Sequence, residues 1–169
     1  MTPGCSRPRA WYRLLVAGGK RTLFLDWGGT LARTRHHRTV VDPEGHPELQ
    51  PNVLETLARV RAEYDACFIV SNQARVSKGE ITEAEVFRRF AWANEHLGRP
   101  FTGWLICPHA DADGCACRKP KPGMFLELDG RHGLDLAAST HVGDSEKDRD
   151  AALAAGVGRF VWAPDFFAW

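Results

Sequence analysis

Residues 23–31, LFLDWGGTL, form a short apolar run that ends at a carboxylate, Asp26, followed by two glycines and a hydroxyl residue. An open α/β sheet collects its reactive groups at the carboxyl ends of its strands. Paired glycines let backbone N–H groups approach an anion without interference from side chains. The stretch therefore predicts a central strand that ends at an anion site, with Asp26 as either a nucleophile or an ordinary loop residue.

The composition is that of one ordinary globular domain. The chain has 169 residues, of which 44% are apolar and 25% are charged. The chain has 22 Lys and Arg residues and 21 Asp and Glu residues. The resulting net charge of +1 gives no support to nucleic-acid or membrane binding. No apolar run approaches the roughly 20 residues that span a bilayer, and residues 11–17 are too short and interrupted for a signal sequence. We expect a cytoplasmic protein.

Apolar runs alternate with helical patterns, which predicts an α/β fold with a parallel sheet. The predicted strands are residues 21–25, 66–70, 104–106, 140–142 and 159–162. Four helices are predicted. The first begins at Pro51, the second runs from about residue 82 to about 97, the third follows Pro122-Gly123 and ends at Leu128, and the fourth covers residues 146–155. A turn is expected over residues 130–133.

We divide the chain into a loosely structured lead-in (1–20), a globular domain (21–163) and an aromatic tail (164–169). The tail either folds back onto the domain or contacts a second copy, so a monomer or a homodimer is expected. The connection between the first strand and the first helix is too short for a large cap domain. Its basic segment, residues 33–38, is either a solvated loop or a substrate contact.

Four potential metal ligands lie close together in the chain. Cys107 and His109 form one pair, and Cys115 and Cys117 form the other. Three thiolates and one imidazole complete a closed tetrahedral zinc site, which is structural rather than catalytic. The alternative is that these are unrelated thiols beside a surface histidine. We predict a zinc-clipped loop.

Two further segments carry charge at sites that a sheet could bring together. Residues 118–123, RKPKPG, hold three cations in a run that two prolines stiffen. This run either forms a solvated turn or projects charge at a fixed position. Residues 143–148, GDSEKD, place carboxylates at another strand end. A carboxylate there beside Asp26 would hold Mg²⁺, a hard cation that prefers oxygen ligands.

Taken together, these motifs resemble the haloacid-dehalogenase-type (HAD) hydrolases of subgroup IIIA, which includes heptose-bisphosphate and histidinol-phosphate phosphatases. The resemblance spans about residues 21–163 and runs in order through DWGGTL, SNQ, the Cys/His cluster with RKPKPGM, and VGD with Asp148. It implies a three-layer, Rossmann-like parallel sheet. It also implies a Mg²⁺-dependent phosphatase whose substrate is a small phosphorylated metabolite, in particular a sugar phosphate.

The resemblance also assigns roles to individual residues. Asp26 would be the nucleophile that forms an aspartyl-phosphate, Ser71 would bind the transferring phosphoryl group, and Lys119 would stabilise the charge on both. The residues expected to contact or shape the substrate site are Gly28, Gly29, Thr30, Asn72 and Arg118. The ligands expected for Mg²⁺ are Asp26, the Gly28 carbonyl and Asp144, with Asp148 in support.

One departure from the family pattern stands out. The second aspartate, two positions after the nucleophile, is Gly28 here, and proton transfer of the kind it performs contributes about 10²–10⁴-fold. A slow phosphatase, a substrate with a good leaving group, or an acid borrowed from His36 or His37 could follow.

Three other functions stay open. The chain could be a phosphate- or partner-binding module that has lost its acid. The DWGGT stretch also resembles the DWAGT of phosphonoacetaldehyde hydrolases, whose carbon–phosphorus chemistry needs a lysine from a cap domain. An open site could admit the 3′-phosphate end of a nucleic acid, which the near-neutral charge does not support.

Overall fold

The computed structural model describes residues 19–169, so nearly all of the expected lead-in lies outside the described residues. The central sheet consists of β1 (Lys20–Leu25), β4 (Ala66–Asn72), β5 (Gly103–Cys107), β6 (Leu134–Gly143) and β7 (Arg159–Trp162). These strands are parallel and lie in the order β5-β4-β1-β6-β7. The sheet therefore places β1, and Asp26 after it, at its centre.

The helices are α1 (Val53–Val60), α2 (Glu83–His96), α3 (Gly123–His132), α4 (Glu146–Ala155) and α5 (Ala163–Phe167). Because side chains alternate along a strand, Leu23 and Leu25 of β1 pack into one core with α1, α2 and α5. Phe24 packs into a second core with α3 and α4. Helices thus cover both faces of the sheet, which confirms the predicted three-layer α/β fold.

Two elements extend well beyond their predicted bounds. Helix α3 continues through the expected turn to His132, and Gly133, at φ 63°, ends it in the left-handed region. Strand β6 begins directly afterwards at Leu134, whose backbone N–H donates to Asp129 Oδ1 at 3.1 Å. The start of β6 is extended because Leu134 and Asp135 pair with Lys20 and Arg21 of β1, a long-range contact that local sequence does not reveal.

Between Asp26 and α1, the chain forms a small antiparallel hairpin of β2 (Thr34–Arg35) and β3 (Arg38–Thr39). This hairpin contains the basic segment that was expected to be either a solvated loop or a substrate contact. It takes the place in the chain where a cap domain would be inserted.

The aromatic tail folds back onto the domain. Helix α5 places Phe167, which is fully buried, in the core with α1. Asn52 Nδ2 donates to the carbonyls of Phe167 and Ala168 at 3.1 and 3.0 Å. The division of the chain at residues 20 and 163 stays a prediction. Over residues 19–169, every helix is too short or too polar to cross a bilayer.

Candidate active site

A cavity of about 530 Å³ opens at the carboxyl edge of the sheet. Asp26 follows β1, Ser71 lies near the end of β4, and Asp144 follows β6, so three strand ends meet there. Lys119 enters from the loop that precedes α3. The cavity is lined by three carboxylates and six cations, namely Asp26, Asp144, Asp148, Arg75, Lys78, Arg89, Arg118, Lys119 and Lys147.

Lys119 is the buried cation of the site. Its Nζ donates to Asp26 Oδ1 at 2.7 Å, to Asp148 Oδ1 at 2.5 Å and to the Val70 carbonyl at 2.8 Å. Burial opposes the charged ammonium, but the two carboxylates outweigh it and raise the pKa of Lys119. The ammonium is therefore held charged against the carboxylate expected to act as the nucleophile.

Asn72 positions Lys119 through two hydrogen bonds to the main chain of Lys119. The Asn72 side-chain amide accepts from Lys119 N and donates to Lys119 O, both at 3.0 Å. This pair of bonds ties the end of β4 to the loop before α3. Beside it, Gln73 Nε2 donates to the hydroxyl of the buried Ser71 at 3.0 Å.

The three carboxylates carry more negative charge than Lys119 compensates. Burial raises the pKa of Asp26 to about 7; Lys119 opposes this, and Asp148 and Asp144 add to it. Burial and Asp148 likewise raise the pKa of Asp144 to about 6. Asp148 differs because the charge of Lys119 overcomes its burial and lowers its pKa. The local excess of negative charge favours an added cation.

The donor set fits a hard divalent cation. One oxygen from each of Asp26, Asp144 and Asp148 lies within 4.8 Å of the others. Both Asp148 oxygens already have partners, because Oδ1 accepts from Lys119 and Oδ2 accepts from the hydroxyl and N–H of Ser145. Asp26 and Asp144 are therefore the carboxylates best able to hold Mg²⁺.

Gly29 lets Asp144 approach Asp26. Its φ is 84°, and a Cβ at this position would lie 2.0 Å from Asp144 Oδ2. Gly29 therefore packs against a candidate metal ligand and is not among the residues that line the cavity, and its expected contact with the substrate stays a prediction. The hydroxyl of Thr30 is fully buried and forms no hydrogen bond with any residue of 19–169, and the expected substrate role of Thr30 also stays a prediction.

The remaining predicted substrate residues line the cavity. Gly28 lines it without offering a side chain. Arg118 also lines it, but its guanidinium donates to Asp111 Oδ1 at 2.5 Å and to the His109 carbonyl at 3.1 Å. In this arrangement Arg118 holds the loop that carries Cys107, His109, Cys115 and Cys117 (the Cys/His loop). It presents only part of its charge to the cavity.

The Cys/His loop brings all four predicted ligands together. The sulfurs of Cys107, Cys115 and Cys117 are 3.2–3.6 Å apart, and His109 Nδ1 lies 3.6 Å from Cys107 Sγ and 3.3 Å from Cys117 Sγ. A tetrahedron with Zn–S bonds of about 2.3 Å has edges of about 3.8 Å, so the cluster fits zinc with a small expansion. The residues therefore suit a closed structural site.

Several cavity residues were not predicted as site residues from the sequence. Arg75 and Lys78 lie in the loop that follows β4, and Lys147 lies in the first turn of α4. Their position just after predicted strand ends could have indicated them. From the basic hairpin, the cavity is lined by Thr34, His37 and Thr39, whereas Arg33 and Arg38 form exposed ion pairs with Glu48 and Glu80.

The parallel sheet, with Asp26, Ser71 and Lys119 beside the cavity at its carboxyl edge, has the arrangement that the resemblance to HAD-type hydrolases implies. Among known proteins, a family model described as polynucleotide kinase 3 phosphatase matches residues 21–156. The chain belongs to this family of HAD-type phosphatases, whose members are phosphoric monoester hydrolases.

Individual relatives agree with this assignment. The D-glycero-beta-D-manno-heptose-1,7-bisphosphate 7-phosphatase of Vibrio cholerae is 33% identical over 149 residues, which cover 82% of this chain and 78% of the relative. The protein of the same name from Bordetella bronchiseptica is 34% identical over 109 residues, 63% of this chain and 61% of the relative. The chain thus spans less than two thirds of that second relative.

A solved structure is also similar. It is that of the D,D-heptose 1,7-bisphosphate phosphatase from B. bronchiseptica, complexed with magnesium and phosphate. It superposes with a TM-score of 0.73 at 29% identity, over 82% of this chain and 78% of that chain.

Proposed function

We propose that the chain is a Mg²⁺-dependent phosphatase that hydrolyses a small phosphorylated metabolite, in particular a sugar phosphate, through an aspartyl-phosphate on Asp26. The observation that carries this proposal is the contact between the Lys119 ammonium and the Asp26 carboxylate, 2.7 Å apart, at the wall of a cavity that also contains Ser71. Phosphoryl transfer asks mainly for positioning and charge neutralisation, and these groups supply both.

The reaction proceeds in two displacements. A carboxylate oxygen of Asp26 attacks phosphorus, the bond to the leaving oxygen breaks, and that oxygen takes up a proton. Water then attacks the aspartyl-phosphate, which releases inorganic phosphate and restores the carboxylate. Lys119 neutralises charge on the nucleophile and the phosphoryl group in both steps, and the Ser71 hydroxyl donates to a phosphoryl oxygen.

The metal would be held by Asp26, the Gly28 carbonyl and Asp144. When bound, Mg²⁺ neutralises negative charge on the phosphoryl oxygens. Asp148 stays outside the ligand set and holds Lys119 and Ser145 in place. The relative complexed with magnesium and phosphate supports the choice of metal.

The proposal that the substrate is a sugar phosphate rests on the relatives and on the cavity. The relatives named above are heptose-bisphosphate phosphatases. A cavity of about 530 Å³ accommodates a ligand of that size, and the cations around its wall favour an anionic one. The family description mentions a polynucleotide phosphatase, so a 3′-phosphorylated oligonucleotide is the competing substrate to test.

We further propose that Cys107, His109, Cys115 and Cys117 hold one structural Zn²⁺. The metal would pin a loop that offers little apolar surface of its own, and Arg118 links this loop to the cavity. A cytoplasmic location and a monomeric or homodimeric state stay predictions.

The test is a phosphatase assay of the purified chain with Mg²⁺ against a panel of sugar phosphates, a heptose bisphosphate and a 3′-phosphorylated oligonucleotide. We expect turnover of a sugar phosphate and its loss in Asp26→Asn. Asp150→Asn removes a carboxylate from the exposed face of α4 and should leave turnover unchanged. Preference for the oligonucleotide would contradict the small substrate, and turnover by Asp26→Asn would contradict the nucleophile.

A second candidate is a phosphate- or partner-binding module, and the observation that favours it is Gly28, which provides no acid. Such a module would bind inorganic phosphate in calorimetry yet turn over none of the panel, including activated aryl phosphates. Gly28→Asp separates the two functions. A gain of about 10²-fold or more in rate would identify a phosphatase that lacks only its acid.

A further inference from the structure

The cavity lacks the usual proton donor, and this inference rests on the proposed phosphatase function. Gly28 has no side chain, while Asp26 and Asp144 are committed to the nucleophile and the metal, and Asp148 to Lys119 and Ser145. Ammonium and guanidinium groups are poor acids at neutral pH. Among the residues of 19–169 that line the cavity, His37 carries the imidazole, the group that exchanges protons most readily near neutrality.

The hairpin turn contains two histidines, and one of them lines the cavity. His36 and His37 are the central residues between Arg35 and Arg38, with φ values of 50° and 59°. Two-residue turns with positive φ usually use Asn or Gly, so two histidines carry a conformational cost that function can explain. Both histidines are exposed, but His37 lines the cavity and His36 lies outside its lining.

The hairpin lies directly against Gly28. A Cβ built on Gly28 would be 3.3 Å from Thr34 Cγ2, at the start of the hairpin. On the facing strand, Thr39 Oγ1 accepts from the indole N–H of the buried Trp27 at 3.1 Å. The element that carries His37 therefore covers the position where the usual aspartate would stand.

Charged groups hold the turn in place. Glu80 accepts from Arg38 at 3.3 Å and from Arg75 at 3.1 Å, which links the hairpin to the loop after β4. Arg35 and Arg38 flank the turn in the chain, and Lys78 lines the same cavity as His37.

We propose that His37 is the general acid and base that replaces the missing aspartate. As the phosphorus–oxygen bond breaks, its electron pair goes to the leaving oxygen, and the imidazolium of His37 gives that oxygen its proton. The neutral imidazole then accepts a proton from the water that attacks the aspartyl-phosphate. This second transfer restores the imidazolium and closes the cycle.

The experiment compares leaving groups. His37→Gln is assayed with p-nitrophenyl phosphate, whose leaving group needs no proton, and with the sugar phosphate or phenyl phosphate, whose leaving groups do. We expect kcat/KM to fall by about 10²–10³-fold for the poor leaving group and by less than about threefold for p-nitrophenyl phosphate. His36→Gln, the matched control in the same turn, should leave both unchanged.

Rescue provides the second test. Gly28→Asp in the His37→Gln background should restore most of the lost rate for the poor leaving group, because it replaces the acid. Equal losses for both substrates, no loss for either, or an equal effect of His36→Gln would overturn the role of His37. If the native chain turns over neither substrate, the proposed phosphatase function itself fails; if only the leaving-group pattern fails, that function stands without His37.

Discussion

Lys119 Nζ lies 2.7 Å from Asp26 Oδ1, although the two residues are 93 positions apart in the chain. The same ammonium also reaches Asp148, so one buried cation serves two buried carboxylates. This contact joins the central strand to the loop before α3. It places the charge that phosphoryl transfer needs beside the proposed nucleophile.

Lys119→Met should abolish turnover and destabilise the fold. We expect kcat to fall by at least about 10²–10³-fold. Loss of the cation leaves two buried carboxylates unpaired, which costs about 3–5 kcal/mol of unfolding free energy near pH 7. Urea denaturation should show this cost shrinking at pH 5, as the carboxylates take up protons. Lys20→Met, at an exposed position, is the control; equal effects of the two changes would contradict the role of Lys119.

Gly29→Ala should weaken Mg²⁺ binding. Its Cβ would lie 2.0 Å from Asp144 Oδ2, so the carboxylate must move away from Asp26. We expect the concentration of Mg²⁺ that half-saturates activity to rise about 10–100-fold. Gly79→Ala is the matched control, because Gly79 also has positive φ, 68°, but a Cβ there meets nothing within 4 Å. Equal Mg²⁺ dependence in the two variants would rule out the clash as the cause.

Elemental analysis should find one zinc per chain. Cys115→Ser should lose most of that zinc and several kcal/mol of unfolding free energy, because metal binding is coupled to folding of the loop. Cys67→Ala removes a buried thiol from β4 and should lower stability while keeping the zinc. A zinc-free native protein, or Cys115→Ser with full zinc content, would refute the proposed site.

Phe167→Ala should destabilise the protein by about 3–5 kcal/mol, because the ring is fully buried in the core beside α1. Trp169 is 38% exposed, and Trp169→Ala should change the unfolding free energy by less than about 1 kcal/mol. Both values are measured by urea denaturation. If Phe167→Ala lowered the unfolding free energy as little as Trp169→Ala, the aromatic tail would not pack against the domain in solution.

Acidification should destabilise the protein in part through His141. Burial lowers the pKa of this histidine, and Lys119 adds to the effect, while its Nδ1 lies 3.2 Å from the Phe24 carbonyl. His141 therefore binds fewer protons in the folded state than in the unfolded state, so its contribution to the unfolding free energy falls as pH drops from about 7 to about 5. Asp26 and Asp144, whose pKa values are raised, act in the opposite sense.

His141→Asn keeps a donor for the Phe24 carbonyl and removes the titrating group. As pH drops over that range, the unfolding free energy of this variant should rise relative to that of the native chain. His96→Asn, at an exposed position on α2, should leave the native pH dependence unchanged. Parallel curves for the native chain and His141→Asn would exclude a contribution from His141.

Local patterns were sufficient for the fold class and for most candidate residues. Apolar strands, helix caps and the Cys/His spacing are encoded within a few neighbouring positions. They therefore predict the α/β order, a carboxylate at the end of the first strand and a loop with four candidate metal ligands. They also predict that carboxylates and cations gather at one sheet edge, because parallel strands end on the same side.

The tertiary structure alone assigned the contacts between distant segments. The loop before α3, held by Asn72, places Lys119 between Asp26 and Asp148, and pairing with β1 extends β6 beyond its predicted start. The same packing buries the Thr30 hydroxyl and turns Gly29 toward Asp144. It also brings His37 rather than His36 to the cavity, because the twist of a hairpin and its attachment to Trp27 depend on residues far from the turn.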